Sequence, residues 1–364
     1  MEKLPLGIYV HIPFCQRKCL YCDFNSHDDK NELKTRYTEA LIREIGAFCA
    51  DEYYADSIFF GGGTPTALPL ENLESIFTAL SNKFSITKNA EISCETNPGV
   101  LKDHGRLKNI GFNRLSMGLQ SASDDELKTL GRIHTFSEFL KSYENAARYF
   151  NNMNIDTMFS LPGQTLESWS ETLQKVKSLN PKHISCYSLI IEQGTPFAKM
   201  NLDLPDEETD RQMYHTAKEI LSEYTRYEIS NFAKPGFECR HNLKYWTRMP
   251  YIGFGCGAHS QIEHKRFSNV YKIEYYAQNP FSKETETLSP NDEISEYMFL
   301  GLRLKEGVNK QKFKTLFGQN IDTLYKDVIQ KHVYAGTLIS DNKHIALTDR
   351  GIDVSNSVMS DFLL

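Results

Sequence analysis

From residue 7 onward the chain alternates short runs rich in Ile, Leu, Phe, Tyr and Ser with longer stretches in which apolar residues return at i, i+3 and i+4. The first pattern is that of a buried strand and the second that of an amphipathic helix. Strands are expected at residues 7–12, 56–60, 90–95, 114–119, 155–159 and 183–190, and helices at 33–50, 70–82, 136–150, 166–178 and 206–224. Six repeats of one βα unit argue for a parallel sheet flanked by helices. No clear seventh or eighth unit follows, so the α/β pattern predicts a partial (β/α)6 barrel over residues 1–230. A doubly wound open sheet has the same one-dimensional rhythm.

Past residue 230 the rhythm stops, and Gly/Pro punctuation takes over at Lys234-Pro235-Gly236 and from Gly253 to Gly257. Residues 231–285 read as a connecting segment. From 286 to 364 a small C-terminal α+β domain is expected: helical patterns from Asn291, a hairpin over 337–347 turning at Asp341-Asn342, and a last helix after Asp349-Arg350. Helices with a two-stranded wing are winged-helix-like, a form often used on DNA, but no concentrated basic patch accompanies it.

Composition narrows the function classes. Forty-one basic residues against 47 acidic ones leave a net charge of −6, the wrong sign for a nucleic-acid binder. No run approaches the ~18 apolar residues of a membrane span. The apolar stretch at residues 4–14 is broken by Pro5, His11 and Pro13 and is followed by Gln16-Arg17-Lys18 rather than a small-residue cleavage site, so a cytoplasmic location is expected. Eight cysteines in 364 residues are too sparse for a disulfide scaffold.

Three of those cysteines cluster. Cys15, Cys19 and Cys22 form a C-x-x-x-C-x-x-C loop directly after the first expected strand. Thiolates are soft ligands suited to zinc or iron–sulfur clusters, and three of them leave one iron of a four-iron cubane without a protein ligand. A zinc site completed by His11 or His27 is the competing reading, but zinc spacings usually pair two knuckles, and a second is missing. Gly61-Gly62-Gly63-Thr64-Pro65 closes the second strand, where glycines allow close backbone approach. Polar residues recur at later strand ends, where a site on the C-terminal face of a barrel draws its side chains.

The cysteine loop resembles the signature of the radical S-adenosylmethionine enzymes. That resemblance implies a 4Fe-4S cluster on Cys15, Cys19 and Cys22, with S-adenosylmethionine on the open iron and reductive cleavage to a deoxyadenosyl radical. It assigns cofactor contacts to Tyr9, Tyr21, Gly62, Gly63, Thr64, Glu95, Gln120, Arg132 and Asp156, in the pattern of the oxygen-independent coproporphyrinogen III oxidases and their relatives. The likeness covers nearly the whole chain, including the C-terminal accessory domain. Two departures separate it from the decarboxylating members. Phe24 stands where they carry a fourth cysteine, and the segment they place before the first strand is expected to be lacking here.

His241-Asn242-Leu243-Lys244-Tyr245-Trp246 supplies an imidazole, an amide and two large aromatic faces within two helical turns, groups suited to a porphyrin. A buried Trp with a capping His-Asn pair is the plainer alternative. The motif resembles that of the haem-chaperone branch of the family, which assigns haem binding to His241, Asn242, Tyr245 and Trp246. That branch implies a chaperone carrying a 4Fe-4S cluster, S-adenosylmethionine and haem, and delivering haem to acceptor haem proteins, with transient contact with membrane haem proteins. It also implies a homodimer when the cluster is bound. No residue is assigned a catalytic role. The alternatives are a coproporphyrinogen III decarboxylase, another radical enzyme acting on a tetrapyrrole, and a plain iron–sulfur module. Cys49, Cys94, Cys186, Cys239 and Cys256 are scattered and read as small buried hydrophobes.

Overall fold

The computed structural model describes residues 3–364. Six strands, β1 (Leu4–Ile12), β2 (Tyr53–Gly62), β3 (Ser85–Thr96), β4 (Arg114–Gln120), β5 (Asn152–Phe159) and β6 (His183–Ser188), run parallel and neighbour one another in sequence order. That order rejects the doubly wound alternative, in which strand order reverses at a switch point. Side chains from all six strands, among them Tyr9, Phe59, Glu95, Ser116, Asp156 and Ser185, line one interior cavity of about 140 Å3. A single cavity touched by every strand requires the sheet to curl around it. The curl does not close. β6 pairs antiparallel with β8 (Asn231–Ala233), which pairs with β7 (Thr225–Arg226), while β1 pairs on its outer side with β9 (Tyr251–Phe254).

Helices Lys34–Ala47, Leu70–Lys83, Phe136–Ala147, Leu166–Ser178 and Glu207–Ile220 follow the periodic stretches. Their apolar stripes bury Leu41, Leu73, Phe139, Leu173 and Met213 in one continuous core. Capping boxes at Thr135 with Glu138 and at Thr165 with Ser168 fix where two of them start. Two further helices, His104–Ile110 and Asp124–Thr129, were not foreseen. At seven and six residues they are too short to display a period, although Asp103 and Ser123 cap them.

The punctuated stretch after residue 230 holds β9 and three more strands of the main sheet, β10 (His259–Ile262), β11 (Lys265–Asn269) and β12 (Lys283–Thr287), paired antiparallel in series. Each has only four or five residues, and β12 is largely exposed, so neither alternation nor an apolar run marks them. A second core, built on Met298, Leu302, Phe313, Ile321, Ile345 and Phe362, lies in the C-terminal region. There β13 (Val308–Asn309), β14 (Leu338–Ser340) and β15 (His344–Leu347) form a three-stranded sheet. The expected hairpin is present, its turn held by Asp341 Oδ1 accepting from the N–H groups of Lys343 and His344 at 2.6 and 2.7 Å.

Candidate functional site

The cysteine loop is braced against itself at the C-terminal end of β1. The Cys15 N–H donates to the His27 carbonyl at 2.9 Å, and the His27 N–H to the Pro13 carbonyl at 2.7 Å. Lys18 Nζ spans the inside of the loop, donating to the Phe24 and Ser26 carbonyls at 2.8 and 3.1 Å. All three cysteines line a cavity of about 420 Å3, a size ordinary for a small-molecule site. Burial pushes the Cys15 and Cys22 thiols up, opposed at Cys15 by the Thr64 hydroxyl and at Cys22 by the Phe24 backbone.

Three thiols on one loop suit a cluster with one open iron; of the two imidazoles a zinc site could recruit, His27 keeps an unpartnered Nε2 and His11 does not. Both nitrogens of His11 are engaged, Nδ1 3.0 Å from the Tyr9 hydroxyl and Nε2 2.8 Å from the Asn25 carbonyl, and burial lowers its pKa to about 4. Among the described residues no three His, Cys, Asp or Glu side chains come close enough to share one ion. A cubane joins its thiolates through three separate irons and does not demand such convergence.

Eight of the nine residues assigned to S-adenosylmethionine line the same cavity as the thiols: Tyr21, Gly62, Gly63, Thr64, Glu95, Gln120, Arg132 and Asp156. The glycines have a structural reason to be there. A Cβ on Gly63 would stand 2.8 Å from the Phe14 carbonyl oxygen, so β2 ends flush against the chain entering the cysteine loop. Gly62, at φ 108°, donates its N–H to Glu95 Oε2 at 3.2 Å. Thr64 Oγ1 reaches Cys15 Sγ at 3.7 Å. Arg132 joins the two sides of the site, donating to Cys19 Sγ at 3.4 Å and to Asn97 Oδ1 and the Gly118 carbonyl at 2.6 Å each. The β4–β5 pairing slips between Gly118 and Gln120, and Gln120 takes a left-handed φ of 73°. A bulge of this kind re-aims a side chain at a strand end.

Glu95 and Asp156 supply the acidic side. Burial pushes the Glu95 carboxyl up to about 8, with the Asp156 charge adding to it. Burial also raises Asp156, against hydrogen bonds from Ser116 at 2.9 Å and Asn154 at 2.7 Å. Tyr9 is the exception among the nine. It sits one level lower, in the 140 Å3 interior cavity that shares Glu95, Asp156 and Tyr187 with the larger one. Asn97 was missed. It bridges Thr64 and Arg132, donating to Thr64 Oγ1 at 2.8 Å. Its signal was its place in Glu95-Thr96-Asn97-Pro98, where only the glutamate was singled out.

The motif assigned to haem occupies helix Arg240–Trp246, whose His241, Asn242 and Tyr245 line the interior cavity. His241 is 1 % exposed. Its Nδ1 lies 3.0 Å from Ser57 Oγ and its Nε2 2.9 Å from the Tyr245 hydroxyl, and its ring stacks on Phe59 at 5.4 Å. Burial lowers its pKa to about 3, so the imidazole is neutral. Trp246 points elsewhere, with the Arg303 guanidinium 4.3 Å above its ring. Arg248, just beyond the helix, pairs with Glu293 and Glu296 at 2.9 and 3.0 Å. The six-residue motif thus joins the barrel interior to the C-terminal region rather than presenting an open face.

Comparison with known proteins identifies the family. Residues 9–176 match the radical SAM superfamily, and residues 288–354 match the HemN C-terminal domain. The heme chaperone HemW of Lactococcus lactis is 36 % identical over 100 % of this chain and 99 % of its own length. That of Bacillus subtilis is 36 % identical over 98 % of both chains, and that of Escherichia coli 33 % identical over the full length of both. Among solved structures, the radical SAM coproporphyrinogen III oxidase HemN of Escherichia coli shares the fold, with a TM-score of 0.87, 24 % identity and coverage of 99 % of this chain and 90 % of that one. Likeness of this extent places the chain in the HemW family of the radical SAM superfamily.

Proposed function

We propose that this protein is a cytoplasmic haem chaperone that holds a 4Fe-4S cluster and S-adenosylmethionine, binds haem, and hands it to acceptor haem proteins. Full-length similarity to proteins named heme chaperone HemW carries this reading. The cavity supports its cofactor half. Cys15, Cys19 and Cys22 are the cluster ligands, with Arg132 and Thr64 donating toward two of the sulfurs. Gly62, Gly63 and Gln120 offer polar groups to the methionyl end of S-adenosylmethionine, and Glu95 and Asp156 face its ribose hydroxyls as acceptors. Such a pair supplies one-electron reductive cleavage when bound. No helix is long and apolar enough to cross a membrane among the described residues. A homodimer dependent on the cluster belongs to the same reading.

The test is haem transfer. Cluster-loaded protein charged with haem is mixed with an apo haem protein, and the acceptor's Soret band and activity are followed. In parallel, the loaded protein receives coproporphyrinogen III, S-adenosylmethionine and a reductant. Acceptor loading without protoporphyrinogen formation is the expected result. Protoporphyrinogen formation would instead establish the decarboxylase reading, which Phe24 in the fourth-cysteine position argues against.

A further inference from the structure

We infer that Arg114 is a positioning residue for S-adenosylmethionine: from inside the barrel its charge sustains Asp156 and Glu95 as acceptors for the ribose hydroxyls. This rests on the cofactor reading proposed above and extends it to a side chain outside the cofactor cavity. Arg114 is 2 % exposed and lines the interior cavity of about 140 Å3, which shares Glu95 and Asp156 with the cofactor cavity.

Strand register brings these groups together. Alternate residues of a strand share a face, and Arg114 and Ser116 on β4 both line the interior cavity. Ser116 pairs with Glu95 on β3 and with Asn154 on β5, and Asp156 follows Asn154 on the same face. Two residues along a strand span about 7 Å, within the reach of an arginine side chain. Arg114 Nε is buried and finds no acceptor in the protein. A buried charge without a direct partner acts on the carboxylates around it, because the interior screens it weakly. Burial raises both carboxyls, and the Arg114 charge works against it at each.

Among the described residues no other cation lines the interior cavity. Burial lowers His183 well below its ordinary value and His241 to about 3, so both imidazoles there are neutral. Burial raises Tyr9, Tyr187, Tyr227 and Tyr245, which stay uncharged. Glu91, two residues before Ser93 on β3, accepts from the Arg240 and His241 N–H groups at 3.2 Å each, and burial pushes the Cys239 thiol beside it up to about 12. Lys244 pairs with Asp56 at 2.8 Å. In the cofactor cavity Lys18 and Arg132 are held by backbone carbonyls, Asn97 and Cys19, while Arg17, Asp23 and Glu192 lie exposed at the rim, where water and salt screen them. A hydroxyl donates more strongly to an ionised carboxylate than to a neutral acceptor, so the charge of Arg114 is felt at the ribose.

S-adenosylmethionine binding to cluster-loaded protein is measured by equilibrium dialysis between roughly pH 6 and pH 9 on wild type, Arg114→Gln and Arg114→Lys, with iron content determined on each. Wild-type affinity should rise with pH as the carboxyls ionise. Arg114→Gln, which keeps a polar donor and loses the charge, should move that rise up by about one pH unit, so that binding near neutrality falls about tenfold and recovers at the alkaline end. Arg114→Lys should return the profile toward that of wild type. A loss of equal size at every pH would make Arg114 a structural support only and overturn the inference, as would a wild-type profile in Arg114→Gln. A flat profile in wild type overturns it without any variant, whether or not Arg114→Gln folds. If wild type with its cluster intact binds no S-adenosylmethionine, the cofactor reading itself falls.

Discussion

Glu95 makes the sharpest numerical demand on the folded protein. Its carboxyl sits at about 8 against an ordinary 4.5, held there first by burial and then by Asp156. A folded-state value above the unfolded one means that the folded protein binds the proton more tightly. The resulting stability is complete below pH 4.5 and is lost as the pH climbs to about 8. Each pH unit inside that window costs about 1.4 kcal/mol, which sets a ceiling of about 3 kcal/mol between roughly pH 6 and pH 8. Water in the cavity, onto which Glu95 opens, lowers the figure toward about half of that ceiling. Glu95→Gln keeps an acceptor for the Gly62 N–H and removes the titration. Cluster-free wild type and variant are unfolded in urea at several pH values under reducing conditions, followed by the fluorescence of the two tryptophans, Trp169, fully buried in the barrel core, and Trp246. The variant should gain on wild type by about 1–3 kcal/mol as the pH rises through this range. Parallel stability curves would refute the buried, proton-holding Glu95 described above.

Three other outcomes follow from the contacts. Cys22→Ser should lose the brown chromophore and most of its iron, because a hydroxyl replaces a soft thiolate poorly; iron at wild-type content would remove Cys22 from the ligand set. Arg132→Met leaves Asn97 Oδ1 and the Gly118 carbonyl without their donor. It should cost about 3 kcal/mol and hasten iron loss on dialysis, whereas unchanged iron retention would show that Arg132 does not support the cluster side of the cavity. His241→Ala removes the links to Ser57 and Tyr245 and the stack on Phe59. A loss of about 2–4 kcal/mol in thermal or urea unfolding is expected, with the haem titration unchanged; a stable variant that no longer binds haem would restore the imidazole as an iron ligand.

Local patterning alone determined the repeated βα unit, the five long helices and the C-terminal hairpin, because burial of one face imposes a period that a sequence must display. The C-x-x-x-C-x-x-C spacing likewise brought three thiols together, since sulfurs on one short loop reach a common cavity without distant parts of the chain. Strand order was not local. Whether six parallel strands curl or lie open depends on which neighbours pair, and only the consecutive pairing with a shared interior cavity decided it. The short strands β9 to β12 were illegible because four or five residues carry no period and their partners lie elsewhere in the chain. Chemistry divides the same way. That Glu95, Gln120, Arg132 and Asp156 share a wall with the cysteines follows from their strand ends, but Asn97 is a bridge only once Thr64 and Arg132 are in place. The six-residue histidine motif shows the limit most clearly. Its imidazole, amide and aromatic rings are legible in sequence, but only the fold shows that the imidazole lies between Ser57 and Tyr245 inside the barrel and that Phe24 is exposed at the rim of the cofactor cavity. Residue type sets what a side chain is able to bind, and tertiary burial sets which of its atoms remain free to do so.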